Sequence, residues 1–476
     1  MGMNRVVGAA GGSPGGLEGF FHLREHGTTV RTEVLAGLTT FVVMSYIIAV
    51  NPAVLAAAGL DTRAVATSTC LVAGVLTIVM GLFTNRAFAL APGLGLNAFV
   101  AYNLVGAMGL TPAEAMGVVV VEGVLITVLV LLGVRKYVMD VVPFALSRAI
   151  SVGIGFFILF IGLRNAGVIT FVPGQTGSVD GLLSLTPLNT WPIFVAMLGL
   201  VVTIVLMARG VRAAILIGIV IATVIAFFVP GNVARLPADP LAGPDFSLVG
   251  QFNFGFFAKL GLLTAVLAVV SFMLSDFFDT MGSLIGVGSE AGYLDENGDL
   301  IDAQRPLLVD SLGAVAGGAV SASSATTFIE SAAGVAAGGR TGLVSVVTGL
   351  LFLLALPLVA LVTAIPAVAT APALIVVGVL MVGVLSEGDR TAADGTAARR
   401  RGIDFRNLDD ALPVVLTMLV MPLTFSITNG IGAGFVSYVL VKLASGKARE
   451  VHPAVYAVAA IFLLYFLRWA LFDARF

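Results

Sequence analysis

Ala89-Leu90-Ala91-Pro92-Gly93-Leu94-Gly95-Leu96-Asn97 and Ser321-Ala322-Ser323-Ser324-Ala325-Thr326-Thr327-Phe328-Ile329-Glu330-Ser331 interrupt the apolar pattern of this chain at two places. Both sit among long apolar runs, and neither reads as an uninterrupted helix. Pro92 removes a backbone donor, and Gly93 and Gly95 loosen the chain behind it. The second stretch is polar and β-tolerant, and a small-residue run from Ala332 to Ala337 follows it. Each predicts a short extended piece followed by a half-helix. Irregular backbone at membrane depth survives only when it is buried in protein or lines a cavity.

The composition sets the surroundings of these breaks. The chain has 476 residues, of which 58% are hydrophobic and 11% charged, with a mean hydropathy of +1.06. Soluble proteins carry about 25% charged residues. The class expected is therefore an all-α polytopic membrane protein, with the lipid bilayer as its first partner. A net charge of -2 points to no nucleic-acid partner. The 56 glycines suit close helix approach in lipid. Cys70 stands alone, so no intrachain disulfide is available. His22, His26 and His452 all flank apolar runs, so no metal site and no cofactor are expected. No HExxH or GxSxG pattern occurs, and the chain does not read as an enzyme. The stretch from Met1 to Gly16 lacks the charged start and apolar core of a cleaved signal peptide.

Runs of membrane-spanning length fall at about 33–58, 64–83, 86–107, 113–133, 144–165, 191–208, 212–229, 259–287, 306–322, 323–339, 341–363, 366–386, 410–426 and 428–445. One more, 452–472, lies beyond this set of 14; it fits either a further crossing or, with Arg468 beside Trp469, an interfacial helix. The short loops that carry Arg86, Arg135 and Lys136, Arg209 and Arg212, Arg305, Arg340 and the arginines from Arg390 to Arg406 alternate with loops poor in charge. The positive-inside rule then places the N-terminus in the cytoplasm. Asn297-Gly298 marks a turn in the acidic connector between Glu290 and Arg305.

The broken stretches are third in the first seven segments and third in the second seven. That spacing predicts a seven-plus-seven inverted repeat whose half-helix N-termini, near Asn97 and Phe328, meet close to the midplane. Free N–H groups and the positive helix ends there favour polar or anionic ligand groups.

Two carboxylates lie at membrane depth. Asp279 sits in the run from Leu260 to Val287, and Glu330 in the run from Val309 to Gly338. An intramembrane carboxylate costs roughly 2.5–3.5 kcal/mol on insertion scales and usually faces a polar cavity. Asp276, three residues before Asp279, shares its helix face. A carboxyl that meets a ligand and then releases its proton is the chemistry of proton-coupled uptake, with sodium as the other coupling ion open at this point. Phe99, Tyr102, Phe272 and Phe328 offer candidate stacking faces for a planar ligand.

Four motifs carry a resemblance. Ala91-Pro92-Gly93-Leu94-Gly95-Leu96-Asn97-Ala98-Phe99, Phe278-Asp279-Thr280-Met281-Gly282, the run Thr326 to Val335 with Gly338-Gly339-Arg340-Thr341-Gly342, and the opening span from Gly37 to Pro52 are similar to those of the AzgA-like purine permeases. These belong to the nucleobase–cation symporter-2 family. Ser45 departs from the small apolar residue expected before Tyr46.

The resemblance implies 14 segments with core and gate domains, proton symport of adenine, guanine or hypoxanthine, a homodimer, and a bacterial-type plasma (inner) membrane location. The divisions it implies are a cytoplasmic segment 1–30, core 31–134, gate 135–256, core 257–364, gate 365–447 and a C-terminal apolar helix 448–476. It makes Asp279 and Glu330 the substrate-side carboxylates, with Asn97, Thr327, Ser331, Phe99 and Phe328 beside the ligand and Asp279, Glu330 and Asp276 in coupling. The competing expectation is an inorganic-anion or carboxylate transporter of the same architecture. That reading calls for a basic residue at the half-helix junction, and the arginines lie in loops or near span ends instead.

Overall fold

The computed structural model describes residues 16–133, 141–171, 183–240, 242–295, 300–383, 403 and 405–472. The Asn297-Gly298 turn, Arg135 with Lys136, Arg390 and the arginines 399–401 lie outside the described residues.

After a short turn α1 (Leu17–Phe20), the first apolar run forms α2 (Val30–Met44) and α3 (Ile47–Leu55). Read from sequence as one span, it breaks at Ser45-Tyr46. α4 (Thr62–Thr84) starts where the Asp61 side chain accepts from the Ala64 amide. Strand β1 (Leu90–Pro92), α5 (Leu94–Ala98) and a π-helical stretch (Phe99–Ala107) follow. α6 (Pro112–Leu131) opens with a capping box, Thr111 with Glu114, and proline at its first position.

Next come α7 (Phe144–Asn165), the antiparallel strands β2 (Ile169–Phe171) and β3 (Leu183–Leu185), α8 (Trp191–Ala208) and α9 (Ala214–Phe228). α10 (Phe256–Ala291) is bent at Gly261, whose φ of 72° no helix contains. α11 (Gln304–Ala319), β4 (Ala325–Thr327) and α12 (Ser331–Ala336) make the second broken region. α13 (Gly342–Leu354) and a 3-10 stretch (Leu356–Ala364) meet at 62°. The sequence reading joined them in one span; Pro357 has no amide to continue the ladder. α14 (Ala367–Val382), α15 (Leu408–Thr424), α16 (Ile427–Ala444) and α17 (Pro453–Phe472) complete the chain.

Among the described residues seven helices are long and apolar enough to cross a membrane, and the bent α13 pair makes an eighth. Val201, Ile204 and Val205 on α8 and Val220 and Val224 on α9 are exposed apolar surface of the kind lipid covers. The helices pack in two sets. In one, α4 lies along α13, α6 along α11 and α10, and α2 along α13 and α12. In the other, α7 lies along α14 and α15, α15 along α16, and α8 along α9 and α14. Small residues permit this closeness: a Cβ on Gly342 would stand 1.9 Å from the Gly81 carbonyl oxygen across the α4–α13 contact.

Candidate functional site

β1 and β4 pair antiparallel, with Leu90 opposite Thr327, Ala91 opposite Thr326 and Pro92 opposite Ala325. The Phe328 amide donates to the Ala89 carbonyl at 2.9 Å and the Gly93 amide to the Ser324 carbonyl at 3.0 Å, extending the ribbon by one bond at each end. The backbone polar groups of both breaks thus satisfy each other, as burial demands. α5 leaves one end of the ribbon and α12 follows from the other. The half-helices start at Leu94 and Ser331, a few residues from the expected Asn97 and Phe328: Gly93 alone separates β1 from α5, whereas Phe328, Ile329 and Glu330 separate β4 from α12. Ser321 and Ser323 take positive φ values of 58° and 72° on the approach to β4. Asn51 holds that approach, its Nδ2 donating to the Ala322 carbonyl and to Thr69 Oγ1.

Side chains gather in two places around the ribbon. In the first, the Tyr46 hydroxyl, at the α2–α3 break, donates to Glu330 Oε1 at 2.5 Å. Glu330 occupies the position before α12. Asp279 of α10 lies within electrostatic range of both Glu330 and Tyr46. Glu330 and Asp279 are only partly buried, and Ile329 next to Glu330 is 49% exposed, so the space they border is open.

In the second place every group is buried. Asp276 accepts from Ser324 Oγ at 2.8 Å, with Thr280 Oγ1 at 3.5 Å. Asp310 of α11 accepts from Thr280 Oγ1 at 2.7 Å and from the Thr327 amide and hydroxyl at 2.8 and 2.9 Å. Thr280 Oγ1 lies 2.6 Å from Thr326 Oγ1. Glu122 of α6 is fully buried behind Asp276 and near Asp310. α11 can sit this close because Gly317 has no side chain: a Cβ there would stand 2.0 Å from the Ser323 carbonyl oxygen.

The residues expected from sequence divide accordingly. Asp279 and Glu330 share the open side. Asp276 shares α10 with Asp279 but addresses Ser324 on the sealed side. Asn97 is fully buried in α5; its Nδ2 reaches the Pro92 carbonyl at 3.4 Å and its Oδ1 has no hydrogen-bond partner. Thr327, expected beside the ligand, has both its hydroxyl and its amide committed to Asp310. Ser331, expected there too, accepts from the Ala89 amide at 2.9 Å and anchors β1. Both ties have one cause: a paired ribbon needs side-chain partners at its ends. Phe99 packs edge-on against Phe272 at 5.0 Å in the core, and Phe328 is buried at the ribbon's end.

Tyr46, Glu122 and Asp310 were missed. The signal that marked Asp279, an acid inside an apolar run, was equally present at Glu122 and Asp310. For Tyr46 there was none, because a tyrosine in a membrane helix is ordinary. Among the described residues no cluster of three acids or histidines is arranged to hold a metal ion. A cavity of about 460 Å³ lined by Arg164, Asn165, Thr170, Thr186 and Ile193 opens at the end of α7, and none of the acids above lines it.

The chain is 41% identical to the adenine permease AdeP of Escherichia coli K12, over 94% of this chain and 96% of that one. It is 38% identical to the guanine/hypoxanthine permease PbuO of Bacillus subtilis, over 93% and 99%. The transmembrane domain of the cyanobacterium bicarbonate transporter BicA shares the fold with a TM-score of 0.59 at 16% identity, over 85% of this chain and 97% of that one. Residues 31–403 match the permease family model for xanthine and uracil permeases. With a polytopic helical body, paired broken segments and relatives along nearly its whole length, the chain belongs to the xanthine/uracil permease family of integral membrane transporters.

Proposed function

We propose that this chain imports purine nucleobases, adenine, guanine or hypoxanthine, by proton symport, with the base held between α10, the ribbon and the half-helices α5 and α12. The observation that carries the reading is the Tyr46–Glu330 bond with Asp279 beside it, both acids only partly buried, where the half-helix α12 begins. A purine edge offers N–H donors and ring-nitrogen acceptors side by side. A carboxylate accepts from the first, and a carboxylic acid or a free amide donates to the second. The buried Asn97 carbonyl oxygen is a further acceptor without a partner.

The reading extends to the architecture. Fourteen segments form two inverted repeats of seven, and the helix contacts support this because they occur in matched pairs. Segment 2 on 11 (α4 on α13) is matched by 9 on 4 (α11 on α6), and segment 1 on 11 (α2 on α13) by 8 on 4 (α10 on α6). The set holding the ribbon is the core, residues 31–134 and 257–364, and the other is the gate, 135–256 and 365–447. The core moves against the gate in alternating access, in a homodimer whose N-terminus faces the cytoplasm of a bacterial-type inner membrane. The names of the adenine and guanine/hypoxanthine permeases among the relatives support the substrate class.

The test is uptake of labelled adenine, guanine and hypoxanthine, with xanthine and uracil as competitors, in a host lacking its own purine transport. Accumulation that collapses when the proton gradient is dissipated is expected. Accumulation driven by sodium, or none of any purine, overturns the reading.

A further inference from the structure

Glu122 lies near the middle of α6, in the apolar stretch Val118-Val119-Val120-Val121-Glu122-Gly123-Val124. It is 0% exposed, and neither carboxylate oxygen meets a hydrogen-bond donor. The polar group within hydrogen-bonding reach is another carboxyl, that of Asp276. α6 packs against α11, α10 and the π-helical stretch, and the acids facing Glu122 from these are Asp276 and Asp310. Among the described residues no lysine, arginine or histidine acts on it. A buried carboxylate without donor or counter-charge is too costly to keep ionised. Two carboxyl groups at this range bond to each other only through a proton that one of them carries.

Asp276 has other ties. Ser324 Oγ donates to its Oδ2 at 2.8 Å, and Asp279, one turn along α10, is in electrostatic range of Asp276, Asp310 and Glu330. A continuous line of acids therefore runs from the sealed interior to the open pocket: Glu122, Asp276, Asp279, Glu330.

We propose that Glu122 is the proton store of this permease, a positioning residue that never touches the purine and that passes its proton to Asp276 when the pocket acids change charge. The step is a simple transfer: Glu122 carboxyl and Asp276 carboxylate become Glu122 carboxylate and Asp276 carboxyl, with the proton moving between facing oxygens. The proposal rests on the proton-symport reading above. It adds to it a site for the proton that is separate from the base. Binding of a purine to Glu330 and Asp279 alters the field at Asp276, and linkage makes the reverse true: the proton at Glu122 sets purine affinity.

The full-length protein in proteoliposomes with a lumenal pH dye gives three readouts. They are labelled-adenine exchange at equal concentration on both sides, adenine accumulation under an inward proton gradient, and lumenal acidification on adding adenine. The wild type is expected to show all three. In Glu122→Gln, exchange is expected to persist while acidification is lost and accumulation falls roughly tenfold or more, within the usual span of coupling free energies. Glu122→Asp is expected to recover part of both. A wild type that accumulates adenine without acidification overturns proton symport and this proposal together. A proton-coupled wild type with an equally coupled Glu122→Gln overturns this proposal alone. Should Glu122→Gln also lose exchange, Glu122→Asp decides. Coupled transport there supports an acid requirement, and loss of exchange there too makes Glu122 a structural group and overturns the proposal.

Discussion

The two sides of the β1–β4 ribbon share a helix, α10, and the same chemistry, yet they are built to opposite ends. On the open side Glu330 and Asp279 border accessible space, with the Tyr46 hydroxyl on Glu330. On the sealed side Asp276 and Asp310 are wrapped by Ser324, Thr280 and Thr327 donors, and every member of the group is buried. Buried acids met by several donors give a rigid mount; acids with capacity left over give a binding surface. The comparison teaches that an intramembrane carboxylate is not by itself a ligand group. What its oxygens already hold decides.

The sharpest way to break this contrast is to remove one acid from the open side. Glu330→Gln and Asp279→Asn are each expected to abolish concentrative purine uptake with the protein still folded in the membrane. Purine binding is expected to weaken roughly tenfold to a hundredfold, the scale of a charged hydrogen bond. Uptake assays with surface expression as control measure this, and unchanged accumulation would count against an open-side binding role.

The glycine and the hydroxyls that mount the sealed-side acids should answer in stability instead. Gly317→Ala drives a methyl against the Ser323 carbonyl and is expected to cost about 1–3 kcal/mol or more, read as a lower thermal midpoint in detergent. Gly282, on the open side of α10, has nothing within 4 Å of a built Cβ. Gly282→Ala is expected to leave the midpoint within about 0.5 kcal/mol. Equal effects of the two would erase the distinction between the sides. Thr280→Val removes the donor to Asp310 and is expected to lower stability by about 1–3 kcal/mol. If it lowered purine affinity with no change in the midpoint, the mount would be part of the binding surface.

The smallest effect lies away from both sides. In the loop before α10, Asp245 accepts from the Ser247 amide at 2.9 Å and faces Arg63 at 3.4 Å. The Ser247 amide first, and Arg63 after it, hold this carboxyl below the usual carboxylate range. A depressed carboxylate stabilises the fold above its unfolded value and loses that contribution as pH falls through the folded one. Asp245→Asn is therefore expected to lower the midpoint slightly at neutral pH, as a half-exposed pair should, and to leave it at the wild-type value well below about pH 4, which flattens the profile between. A midpoint shift confined to alkaline pH would contradict this.

Much of this was legible beforehand because it is local. Pro92 without an amide and the Ser/Thr run before Glu330 stop a helix wherever they occur, so both breaks and their extended pieces were visible in the chain. So were Asp279 and Glu330, since an acid in an apolar run stands out. Glu122 and Asp310 carried the same mark and were passed over because no motif surrounded them. The internal partners of Thr327 and Ser331 were not legible for another reason: a hydroxyl in a motif does not reveal which neighbour it bonds.

Hydropathy and backbone restrictions act over a few residues, so the amino-acid order alone shows a helical membrane protein, where its helices break, and that Asp279 and Glu330 lie in apolar runs. Long-range packing settles that β1 meets β4, that Tyr46 reaches Glu330 across 284 residues of chain, and that Asp276 and Asp279 lie on opposite sides of the ribbon. Those outcomes depend on the register at which distant segments dock, and register is set by glycine contacts such as Gly81 with Gly342 and by hydrogen-bond partners that lie far apart along the chain.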